Sequence, residues 1–125
     1  MNTHVNFDIS KLLKEKGYNE LCSKIYLDGE LKDAWKKVNY DDTLPSAFYI
    51  APTIADVVMW LYEKHGIWIT ADAGINGFYG HYKVNPIGTL TFYLKQGWIN
   101  FEGNPFKTPL EAYSEAILYT LKNLI

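Results

Sequence analysis

Apolar and polar positions repeat with two different periods along this chain, and the switches between them mark its elements. Ile54, Val57, Val58, Leu61 and Tyr62 fall on one face of a 3.6-residue period, which predicts an amphipathic central helix. Thr53 stands at its cap with Asp56 three positions on, and Gly66 ends it after Lys64 and His65. Trp60 falls toward the flank of this helix, where it is expected either to be partly exposed or to cover the loop before the helix. The same period returns near the C-terminus in Leu110, Tyr113, Ile117, Leu121 and Leu124, introduced by the start signal Thr108-Pro109-Leu110-Glu111. That apolar face predicts a final helix docked in a core rather than frayed. A shorter helix is expected near the start, capped by Asp8, stapled by Phe7 on Leu12 and closed by Gly17.

Between the two longer helices the period drops to two. Residues 67–72, 78–84, 89–94 and 98–101 are rich in β-branched and aromatic side chains, with turn signals at Asn76-Gly77, at Pro86 and Gly88, and at Gln96-Gly97. Within 78–84, alternation groups Phe78, Gly80, Tyr82 and Val84 on a core face and turns Tyr79, His81 and Lys83 outward. Residues 22–38 admit two readings. Asp28-Gly29 supplies the positive φ angles of a tight hairpin, whereas Leu31, Ala34, Trp35 and Val38 follow helical spacing. The turn chemistry favours the hairpin. Residues 39–46 read as a surface loop. The fold these elements imply is one α+β domain over 1–125, two-layered, with an antiparallel β-meander packed against a central helix and a C-terminal helix. A doubly wound parallel sheet would need more strand–helix–strand crossovers than the chain offers.

Composition narrows the functional classes. A net charge of −2 gives no whole-molecule attraction for nucleic acid or anionic lipid. Cys22 is the only cysteine, which excludes an intrachain disulfide and suits a reducing compartment. The opening residues carry neither a basic nor an apolar signal region, and no uncharged apolar run reaches membrane-span length, so a cytoplasmic location is expected. Aromatic residues are abundant, with ten Tyr, six Phe and four Trp, more than a small core readily holds.

Candidate chemistry is sparse. His4, His65 and His81 show no zinc-ligand spacing, and His65 fits a helix end where its donor meets free carbonyls. Cys22 lacks a local base and reads as a small, partly buried thiol; Asp41-Asp42 reads as part of a solvated loop rather than a cation site. The glycines at 74, 77 and 80 imitate a phosphate cradle but lead into a strand instead of a helix N-terminus, which fits a β-turn. No catalytic residue, metal ligand or cofactor is therefore expected. The remaining signal is aromatic clustering around polar strand positions, with Tyr79, His81, Lys83, Tyr93 and Trp98 as the candidate interface. The reading this favours is a small accessory protein acting by contact with a protein partner or with its own copies. The first alternative is a small-molecule or enzymatic pocket between sheet and central helix using Asp72, His81 and Tyr82. The second is single-stranded nucleic acid stacking on the aromatic face, disfavoured because Lys83 and Lys95 are the only basic residues there.

The segment Ala51-Pro52-Thr53, Trp60-Leu61 and His65-Gly66 running into a strand, with a final helix opening on Glu111-Ala112 and Glu115-Ala116, resembles small uncharacterised proteins encoded by phages and prophages of gut anaerobic bacteria. The resemblance covers about a third of the chain and rests on structural motifs. It implies a bacterial or phage cytoplasmic setting and no activity, cofactor or catalytic residue.

Overall fold

A computed structural model describes residues 3–44, 46–74, 76–84, 96–99 and 105–125. Among these lie three helices and six strands, the strands in two antiparallel three-stranded sheets, so the fold is α+β with helices packed on sheets. The chain divides into two compact units, residues 1–53 and 54–125.

In the first unit, α1 (Phe7–Glu15) is followed by β1 (Cys22–Leu27), β2 (Glu30–Val38) and β3 (Phe48–Ile50), in sheet order β2-β1-β3. The cap of α1 is Asn6, not Asp8: the Asn6 side chain accepts the Ile9 N–H at 2.9 Å, while Asp8 lies inside the first turn. Asn and Asp are equally good caps, so residue type alone does not separate two candidates two residues apart. Phe7 is not a staple on Leu12; its ring meets Tyr26 and Tyr49 edge-on at 5.4 and 5.5 Å. Gly17 closes the helix as expected. With φ +89° it directs its own N–H to Lys14 O and the Tyr18 N–H to Leu13 O, the paired bonds of a Schellman turn. Replacing Asn6 with Ala should destabilise by about 1 kcal/mol, and Asp8→Ala by a few tenths. Urea midpoints of the two variants distinguish the caps, and a larger loss at Asp8 would reverse the assignment.

Residues 22–38 form the hairpin. Asp28 (φ +51°) and Gly29 (φ +79°) make its tight turn, and Leu27 pairs with Glu30 across it. Helical spacing at Leu31, Ala34, Trp35 and Val38 arises from a register shift instead. Lys24 faces Asp33 but Cys22 faces Val38, so β2 bulges around Trp35, which is 70% exposed. β3, placed by β1 pairing of Ile25 with Ile50, has no counterpart in the sequence reading, being three residues long. Val5, Ile9, Leu13, Ile25, Val38 and Ile50 build this unit's core.

The second unit holds α2 (Ile54–His65), β4 (Ile67–Ala73), β5 (Phe78–Val84), β6 (Gln96–Ile99) and α3 (Pro109–Asn123), in sheet order β4-β5-β6. The expected strand at 89–94, and the end of the one at 98–101, lie outside the described residues. Val57 and Leu61 are fully buried on α2, and Gly66 (φ +66°) returns its N–H to Tyr62 O. Trp60 is not a flank residue. It is 7% exposed, its ring 4.8 Å from that of His65, the last helical residue. Thr108 caps α3, accepting the Glu111 N–H at 3.1 Å, while the Glu111 carboxylate takes the Lys107 N–H. The buried face of α3 is Ala112, Ala116, Ile117, Thr120 and Leu121, shifted from the expected stripe; Leu110, Tyr113 and Leu124 are only half-buried. Small residues decide this. A Cβ on Gly80 of β5 would stand 2.9 Å from Ala116 Cβ and 3.0 Å from Ala112 O, so helix and strand touch where neither has a bulky side chain.

Gln96 and Gly97 belong to β6 rather than to a turn. Gly97 pairs with Tyr82, whose ring lies over it; a Cβ there would be 3.0 Å from the Tyr82 ring. Glycine in this strand makes room for an aromatic neighbour. Among the described residues no helix is long and apolar enough to cross a membrane.

Candidate functional site

The second sheet has one covered face and one open face, and its register sorts the side chains between them. Directly paired residues share a face, and successive residues alternate. Ile67 and Ile69 of β4, Gly80 and Tyr82 of β5 and Ile99 of β6 point towards α3, where Tyr82 stacks on Tyr119 at 5.6 Å. The opposite face presents Trp68, Thr70 and Asp72 from β4, paired with Lys83, His81 and Tyr79 of β5, and Trp98 of β6 paired with His81.

Of the five residues nominated from sequence, Tyr79, His81, Lys83 and Trp98 come together on this outer face, and Tyr93 lies outside the described residues. Trp98 is the hub: its ring is 4.5 Å from His81 and 6.4 Å, edge-on, from Tyr79, yet it remains 45% exposed. Trp68 is the second exposed ring, met edge-on by Tyr62 of α2 at 5.5 Å. The Thr70 hydroxyl donates to the Asp72 carboxylate at 3.0 Å. From sequence, Trp68 belongs to the aromatic cluster of the strands but not to the candidate interface, and Thr70 to neither, because their place on this surface depends on the β4–β5 register. The alternative site of Asp72, His81 and Tyr82 is divided by the sheet, with Tyr82 on the helix side and the other two outside. These three side chains do not line one cavity.

Burial holds the His81 imidazole below its ordinary pKa, helped by the Lys83 ammonium and opposed by the Asp72 carboxylate. The folded chain therefore favours the neutral ring, while the unfolded chain binds its proton with a pKa of about 6.5. Stability from this group is complete above that value and declines as pH falls through it, levelling below the folded pKa. Wild-type unfolding midpoints should drop between pH 7.5 and 5.5, and His81→Gln should flatten that slope. An identical slope in both proteins would contradict the assignment. Asp33, hydrogen-bonded and ion-paired to Lys24 at 2.7 Å, and Asp42 are held below the usual carboxylate range, so their influence lies at lower pH.

The first unit has a shallow cleft of about 390 Å³ lined by Lys14, Tyr40, Asp42, Leu44 and Phe48, among others. Several of its polar groups are already engaged. Burial pushes the Tyr40 hydroxyl up to about 12 despite the Ile50 N–H donated to it. Lys14 sits over the Tyr40 and Tyr49 rings, and Asp42 pairs with Lys36 at 3.2 Å. Tyr40 therefore stays neutral throughout the physiological range. Cys22 is buried, and Gly74 and Gly77 close a turn through a Gly74 N–H to Gly77 O bond. Among the described residues no group of three or more His, Cys, Asp or Glu is arranged to hold a metal ion. Comparison with protein-family models, with curated proteins and with solved structures finds no match to this chain.

Proposed function

We propose that this chain is a small accessory protein that works by protein–protein contact, using the outer face of β4-β5-β6, in the cytoplasm of a bacterium or its phage. The partner is another protein or a second copy of the chain. One observation carries the reading: Trp98, with Tyr79 and His81 gathered against it, stays 45% exposed on the face opposite α3. An exposed Trp held in place by half-buried Tyr and His neighbours contributes large contact area at small entropy cost, the usual makeup of a binding hot spot. Nucleic acid suits the face less well. Lys83 is balanced by Asp72, so the phosphate backbone meets no net positive groove.

The test uses the immobilised chain and an extract of its native host. Proteins retained by wild type should be lost with Tyr79→Ala and with Trp98→Ala, and kept with Trp35→Ala, which removes an exposed ring from a different sheet. Equal retention by all four proteins, or a chain that retains no host protein and also stays monomeric, contradicts the proposal.

A further inference from the structure

We infer that the partner of this face is a second copy of the chain, the two sheets packing about a twofold axis that sets Lys83 of each copy against Asp72 of the other. The inference rests on the outer face being the interaction surface, and the strand register carries it further. Lys83 pairs with Trp68 at one end of the β4–β5 ladder, and Asp72 pairs with Tyr79 at the other. Four residue steps separate them, ~13 Å at strand rise, too far for an ion pair within one chain. Among the described residues of this face these are the two full charges, one of each sign, with His81 and Trp98 between them.

A contact between identical copies must be self-complementary, because the same patch serves both sides. A twofold axis in the interface and perpendicular to the strands reverses each strand. It brings the cationic end of one sheet over the anionic end of its mate and leaves Trp98 and His81 near the centre. An axis along the strands would oppose like charges instead. The ends therefore select the antiparallel arrangement. Three strands about 4.8 Å apart and up to seven residues long make a patch well below the ~800 Å² per partner of a standard interface. The dimer is accordingly weak and reversible, with Kd on the order of 10 μM to 1 mM.

Sedimentation equilibrium of the purified full chain across that concentration range provides the test, with circular dichroism on each variant to follow folding. Wild type should dimerise. Asp72→Lys and Lys83→Asp should each weaken dimerisation at least about tenfold, since two symmetric attractions become two repulsions. An equimolar mixture of those two variants should form a heterodimer, and the double reversal should dimerise, each within about threefold of wild type. Should a reversal disturb folding, Asp72→Asn and Lys83→Gln decide, each expected to weaken association. A wild-type chain that stays monomeric overturns the inference, as do single variants that dimerise like wild type or a mixture and double variant that fail to recover. A monomeric chain whose Trp98→Ala variant still loses a host protein overturns the second copy alone. A monomeric chain that also retains no host protein overturns the interaction face itself.

Discussion

Leu61→Ala should lower the unfolding free energy by about 2–5 kcal/mol, through lost burial plus the cavity left behind. Leu61 has no solvent exposure, and α2 packs on both β4 and α3, so neighbouring side chains on two sides must move to fill the space. Set against the ~5–15 kcal/mol of a whole small domain, this is a large fraction of the total. Met59, two residues earlier and exposed, is the control: Met59→Ala should stay within about 0.5 kcal/mol of wild type. Chemical denaturation of the two variants checks both, and equal stability of Leu61→Ala and wild type would mean that the buried face of α2 lies elsewhere.

Gly80→Val should be comparably disruptive for the opposite reason. The added Cβ would meet Ala116 Cβ at 2.9 Å, Ala112 O at 3.0 Å and Ile99 Cγ1 at 3.2 Å. Two of those atoms cannot swing aside, since one is a backbone carbonyl and the other a Cβ, so α3 must lift from the sheet. Overpacking of this kind costs about 3 kcal/mol, the upper part of the usual range. Thermal melts of Gly80→Val alongside Tyr79→Ala separate the two faces of one strand: the first should lose stability heavily and the second little. Similar losses would mean that the inner and outer faces do not differ in this way.

The elements readable from sequence are those set by neighbours in the chain. Asp28-Gly29 fixed its hairpin through local φ angles, and Thr108-Pro109-Glu111 marked the start of α3 because capping needs only the first turn. Gly66 ended α2 for the same reason. What escaped depends on distant partners. The buried face of α3 turned towards Ala112 and Ala116 because Gly80 lets the strand come close, a contact between residues more than thirty positions apart. Gly97 reads as a turn residue until Tyr82 is known to lie over it.

The candidate face was legible to the extent that period-two alternation operates within one strand. Tyr79, His81 and Lys83 followed directly from it. Aromatic clustering nominated Trp98, but its place beside His81 depends on a β5–β6 register that no local signal encodes, as do the places of Trp68 and Thr70 on β4. Chemistry was harder to read than architecture because the face has no catalytic spacing to recognise. Its meaning lies in which side chains share a surface.

The central claim is that the outer face of β4-β5-β6 serves recognition while the inner face serves the fold. The most direct measurement determines unfolding free energy and association on the same preparation of Trp98→Ala. The expected result is stability within about 1 kcal/mol of wild type, as for a surface substitution, together with loss of self-association or partner retention. A loss of more than about 2 kcal/mol in stability, with association per folded molecule unchanged, would make Trp98 a core residue and contradict the claim.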